Sequence, residues 1–132
     1  ELHCRNYLRF VDDFLLFSDD KDQLWAWRAA IVERLARLRL TIHAQAQPQR
    51  VSKGTSFLGF RVFADRRRLK RSKGIHFRRR FHHLLGDYAA GTISLDELDA
   101  SVQGWVNHAR YGNTVGLRKA ILTSQVISPG TM

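Results

Sequence analysis

Tyr7-Leu8-Arg9-Phe10-Val11-Asp12-Asp13-Phe14-Leu15-Leu16-Phe17 is the stretch on which the reading of the fold turns. Tyr7, Leu8, Phe10 and Val11 lead into two aspartates, and Phe14 to Phe17 lead out. Aromatic and branched residues favour a pleated, buried environment, so the sequence predicts a β-hairpin over residues 4–18. A tight hairpin turn is normally built from Gly or Asn, which tolerate positive φ. Here Asp12 and Asp13 hold that place.

Two carboxylates between apolar arms need a reason, because burying one costs several kcal/mol unless it is paired or metal-bound. One reason is a divalent cation at the hairpin tip. Hard oxygen ligands suit Mg²⁺, and two ions about 3.5–4 Å apart can hold both oxygens of an in-line phosphoryl displacement. The other is a solvated turn that happens to contain two acids. Asp19-Asp20 is a second acid pair, but it stands where a helix needs an N-cap and reads as structural. Flanking sequence separates the two pairs.

Working outward, Leu24, Trp27, Ile31, Leu35 and Leu38 recur at helical spacing and predict a helix from about Asp20 to Leu40 that packs on the sheet. Gln45 to Arg50, interrupted by Pro48, reads as a loop between short strands. Phe57-Leu58-Gly59-Phe60-Arg61-Val62-Phe63 is strand-like, and Leu69 and Lys70 pair back after a turn over Ala64 to Arg68. Gly59 suits a close backbone approach, with a β-bulge as the alternative. From about Ile75 the pattern is helical, with Phe77, Phe81, Leu84, Leu85 and Tyr88 on one stripe ending before Gly91. Ser94-Leu95-Asp96-Glu97 matches the S-x-x-E capping box. The helix it opens runs to near Gly112, and a short third helix spans Thr114 to about Leu122. Ser128-Pro129-Gly130 is expected to fray. Sheet first and helices last, without internal repeats, reads as α+β.

Lys and Arg total 22 against 12 Asp and Glu, a net charge of +10 that attracts polyanions, nucleic acid before membrane. No purely apolar run is longer than that of Phe14 to Phe17, which is far too short to span a bilayer. Cys4 is the sole cysteine and suits a reducing cytosol. Ten cations lie between Arg61 and Arg80, opposed only by Asp65. A solvated charged face usually mixes signs. The one-signed tract therefore points to phosphate contacts, and guanidinium forks match phosphate oxygens. Phe77 and Phe81 read as core anchors rather than stacking platforms. His82, His83 and His108 lack paired ligand spacing for zinc, and Trp25, Trp27 and Trp105 read as core or interface.

The Tyr7–Phe17 stretch resembles the aromatic-x-Asp-Asp box of reverse transcriptases, with Phe10 in the usual tyrosine position. It is most similar to bacterial retroelement enzymes of the group II intron, retron and diversity-generating types. Further matches follow in order. Leu38 to His43 is similar to the segment after the palm helix. Gly54-Thr55-Ser56-Phe57-Leu58-Gly59-Phe60 resembles the G-x-x-F-L-G-F hairpin under the primer terminus. Tyr88, Gly91, Trp105, His108-Ala109 and Gly112-Asn113-Thr114 resemble the C-terminal helical region.

The resemblance implies the C-terminal part of a polymerase palm over residues 1–73, a three-helix thumb over 74–124 and a tail over 125–132. It implies RNA-directed DNA synthesis, in which a primer 3′-hydroxyl attacks the α-phosphorus of a deoxynucleoside triphosphate. Asp12 and Asp13 would be the catalytic, metal-holding pair for two Mg²⁺ ions, with Mn²⁺ as a substitute. Phe10, Val11, Phe57, Leu58, Gly59 and Phe60 would lie near nucleotide and primer. Arg66, Arg67, Lys70, Arg71, Arg78 and Arg79 would contact an RNA template and DNA primer. The family takes another metal-binding aspartate from an earlier palm strand and also needs fingers. Residues 1–132 alone are therefore expected not to polymerise, and an exposed palm edge would permit self-association.

Two positions depart from the family: Arg39 stands where Gly is usual, and Gln45-Ala46 where one or two lysines are usual. Gln45 cannot protonate a pyrophosphate leaving group, though His43 and Lys53 are near in sequence. The expected location is the bacterial cytoplasm, with no membrane contact. The alternatives are a non-catalytic basic RNA- or DNA-binding module and an interaction domain that docks an acidic protein.

Overall fold

The computed structural model describes residues 1–127, so the expectation for Ser128 to Gly130 lies outside the described residues. Two small antiparallel sheets and four helices make an α+β fold, as the order of patterns predicts. The chain divides into two compact units, residues 1–50 and residues 51–132. The second sheet therefore groups with the helices after it, while the resemblance draws its boundary at residue 73.

In the first unit, β1 (Tyr7–Phe10) pairs with β2 (Asp13–Leu16) in a hairpin whose register sets Phe10 opposite Asp13. The two-residue turn is therefore Val11-Asp12. Asp20 then caps α1 (Lys21–Arg37), its Oδ1 accepting from the amides of Asp22 and Gln23 at 2.9 and 3.2 Å. Leu24, Trp27, Ile31 and Leu35 do form one stripe, but it is only half-buried, and no residue of α1 is buried. The expected packing of this helix on the sheet is thus not met by a closed core. Leu38 lies beyond the helix at its C-cap and is 55% exposed.

The helix ends in a Schellman motif. The amide of Leu40 donates to the Leu35 carbonyl and that of Arg39 to Ala36, with Arg39 at φ +57°. That is the left-handed position for which glycine is the usual residue, and arginine occupies it. No strand lies between α1 and the Gln45–Arg50 loop; residues 38–50 are irregular, and Arg28 Nε reaches the Ala46 carbonyl at 2.8 Å, which ties that segment to the helix.

The second unit opens with a 3₁₀ turn, Val51–Lys53, and a three-stranded sheet of β3 (Thr55–Phe57), β4 (Phe60–Val62) and β5 (Arg67–Leu69). The run Phe57 to Phe63 is not one strand. It breaks at Leu58 and Gly59, both at positive φ (+50° and +86°), the geometry of a two-residue primed turn. Gly59 therefore serves the turn rather than a close backbone approach or a bulge. What nears it is a side chain: a Cβ there would lie 3.3 Å from His108 Nε2.

Next, α2 (Arg71–Ala89) starts four residues earlier than its apolar stripe suggests. The early turn is masked in sequence by Gly74, which is buried and faces Leu117. The helix ends in a second Schellman motif, this time with Gly91 at φ +73°. The capping box opens α3 (Leu95–Ala109) as predicted, and α4 (Val115–Leu122) closes the unit.

Phe77, Phe81, Leu85, Leu98 and Ile121 form the core, with Leu84, Tyr88, Val102, Trp105 and Leu117 packed around it. Phe77 and Phe81 are 4% and 3% exposed, so both are core anchors. Asn113 fastens the α3–α4 junction to the sheet. Its amide donates to the Arg67 carbonyl at 2.7 Å, and its Oδ1 accepts from the Arg67 amide at 3.0 Å. Gly112 beside it has no room for a side chain, since a Cβ would meet the Phe60 ring at 2.9 Å. No helix among the described residues is long and apolar enough to cross a membrane.

Candidate nucleic-acid interface

In the first unit, Asp12 is the second turn residue of the hairpin and Asp13 the first residue of β2. Both are exposed, so the desolvation argument drawn from their apolar neighbours does not apply to the chain as it stands. The neighbours are exposed too: Phe10 is 57% and Val11 69% accessible. Neither carboxylate takes part in a side-chain hydrogen bond or ion pair among the described residues. Val11 has φ +54°, a left-handed conformation that a β-branched residue adopts only under strain. Arg9 Nε donates to the Val11 carbonyl at 2.8 Å and braces the tip. The donor set suits Mg²⁺ in kind, since carboxylate oxygens are hard ligands. It is small in number: among the described residues no three of His, Cys, Asp and Glu come together.

The cations of the second unit do not form one face. Arg66 sits in the turn before β5, with its guanidinium 4.1 Å over the Phe63 ring and 2.8 Å from Asp65. Arg61 is turned onto the Lys53 carbonyl by two hydrogen bonds of 2.9 and 2.6 Å. Arg67 is exposed and fixed through its backbone by Asn113. Lys70 is half-buried at the N-cap of α2, where no side chain caps the helix. At 3.6 residues per turn, Arg71 and Arg78 share one flank of α2, and Arg79 lies about 100° further round. All three are exposed.

A third flank carries Lys73, His76 and Arg80, and these residues line a cleft of about 380 Å³ between α2 and α3. Ser101, Gly104, Trp105 and His108 line it from α3. Trp105 stacks parallel on Phe77 with ring centroids 4.0 Å apart. Phe60 is buried, its ring 4.9 Å from that of His108. A Cβ at Gly59 would lie 3.9 Å from Lys73 Cε, so the β3–β4 turn borders the cleft at its Lys73–His108 end.

Of the residues expected near a primer, Phe57, Leu58, Gly59 and Phe60 all lie in this one hairpin. Phe60 faces the core, while Leu58 is 43% exposed. The sequence reading missed the cleft. Lys73 and Arg80 belong to the basic tract, and their spacing with His76 puts them on one flank, but nothing in the sequence indicates that His108 and Trp105 face them. No family model matches the chain, and no curated protein matches it.

Proposed function

We propose that this chain carries the catalytic hairpin and duplex-holding helices of a bacterial, cytoplasmic reverse transcriptase. The observation that carries the reading is the hairpin tip. Val11 holds φ +54°, a position where Gly or Asn is usual, and strain of this kind concentrates at functional sites. The two residues after Val11 are exposed carboxylates. Asp12 and Asp13 would hold Mg²⁺, which when bound neutralises phosphate charge and favours attack by a primer 3′-hydroxyl. Phe10 and Val11, exposed beside the acids, would contact the primer end and the incoming nucleotide. The basic residues of the second unit would hold template and primer. The reading requires a further metal-binding aspartate, and fingers, from polypeptide outside these residues.

A second reading, a binding module without chemistry, is favoured by Gln45, whose amide cannot protonate a leaving pyrophosphate. The two are separated by nucleotide incorporation on an RNA–DNA template–primer. Residues 1–132 should bind the hybrid and incorporate no deoxynucleotide, and the polypeptide extended to include an earlier palm strand and fingers should incorporate it. Incorporation by residues 1–132 alone would show that the metal ligands are misassigned. Binding without incorporation by the extended polypeptide would favour the module.

A further inference from the structure

We propose that the cleft between α2 and α3 seats one nucleotide unit of an unpaired strand, its phosphate held by Lys73 and Arg80. No carboxylate lines the cleft, so two cations and two imidazoles converge with no acid to neutralise them. The N-terminus of α2 has no side-chain cap and no acid in its first turn. The positive end of the helix dipole therefore adds to the field at the Lys73 end. Ser101 supplies a hydroxyl, and Trp105, stacked on Phe77, lines the cleft beside it. Convergent cations, one hydroxyl and an aromatic wall are the groups that bind a phosphate joined to a base. At about 380 Å³ the cleft has room for one nucleotide rather than a duplex.

Gly104 lies on the α3 wall of the cleft. Glycine within a helix is destabilising, and its usual justification is close packing. A Cβ at Gly104 would meet nothing within 4 Å. Position 104 is therefore open to a larger side chain, which would enter the cleft.

The inference rests only on the nucleic-acid-binding half of the function proposed above, and its test reads binding rather than synthesis. Failure of chemistry at Asp12 would leave it standing. The probes are single-stranded hexathymidylate, thymidine monophosphate and inorganic phosphate, titrated into the ¹⁵N-labelled chain. The indole N–H resonance of Trp105 is assigned by Trp105→Phe. Hexathymidylate should shift that resonance saturably. Lys73→Gln/Arg80→Gln should weaken binding tenfold or more, while Arg34→Gln/Arg50→Gln, with the same charge loss in the other compact unit, should change it less than threefold.

Gly104→Leu should fill the cleft and abolish the shift without lowering the melting temperature. Saturation by the monophosphate as tightly as by the hexamer would make a free nucleotide the source of the phosphate. Binding by the hexamer alone would make it an internal phosphodiester. Three results would overturn the proposal: no saturable shift with any probe, binding undiminished in folded Lys73→Gln/Arg80→Gln and Gly104→Leu, or a hairpin duplex that shifts the Trp105 resonance at lower concentration than the single strand does.

Discussion

Arg39 and Val11 occupy the same left-handed region for different reasons. Arg39 sits at the C′ position of α1, where the Schellman hydrogen bonds to Leu35 and Ala36 demand φ near +57° whatever the side chain. Its guanidinium makes no hydrogen bond or ion pair among the described residues to offset that cost. Glycine is the usual residue at such a left-handed C′ position, because it has no Cβ to clash there. Arg39→Gly should therefore stabilise the chain by about 1 kcal/mol, the scale of the left-handed penalty for a residue with Cβ. Urea denaturation measures it, and an unchanged or lowered midpoint would mean the strain is relieved elsewhere. Val11 differs because its strain lies beside two exposed carboxylates.

The capping box at the start of α3 is the element most completely written in the sequence. Ser94 Oγ accepts from the Glu97 amide at 3.2 Å, and Glu97 Oε2 accepts from the Ser94 amide at 2.8 Å. The Ser94 backbone amide first, and its hydroxyl second, hold the Glu97 carboxyl below the ordinary glutamate value. A depressed folded-state value adds stability above the unfolded value, and that stability is lost as pH falls through the folded one. Ser94→Ala should cost about 0.5–2 kcal/mol at neutral pH. Glu97→Gln should flatten the acid limb of the stability–pH curve, measured by melts between pH 3 and 7 on the order of the carboxylate range. An acid limb identical in wild type and Glu97→Gln would show that other carboxylates set it.

Local chemistry of this kind was legible: a cap at Asp19 or Asp20, the Gly91 terminus and the stripe of Phe77, Phe81 and Leu85 all follow from nearby residues. Features needing distant partners were not. Leu58 at positive φ is invisible inside an aromatic run, and periodicity identified the apolar stripe of α1 without showing how far it would be covered. Gly74 concealed the first turn of α2, because its value lies in contact with Leu117. The cleft depends on two helices meeting and has no linear signature.

The net charge of +10 belongs to the whole chain and predicts salt-sensitive binding to polyanions. If Arg67, Lys70, Arg78 and Arg79 all touched phosphates, replacing them with Gln would lower the log–log salt slope by about three to four units, at roughly 0.9 per phosphate. Arg78 and Arg79 lie about 100° apart on α2, so one duplex cannot meet both equally. The expected loss is about two to three units, with affinity weakened uniformly across hybrid sequences. Affinity across a salt series measures this, with circular dichroism reporting the fold, and an unchanged slope would make the tract a solvated face. The most direct test of the central claim is primer extension with Mg²⁺ by the extended polypeptide carrying Asp12→Asn. The amide cannot hold a divalent cation as a carboxylate does, so extension should be abolished while template–primer affinity stays within a few-fold of wild type. Extension within a few-fold of wild type would remove Asp12 from the chemistry and contradict the account.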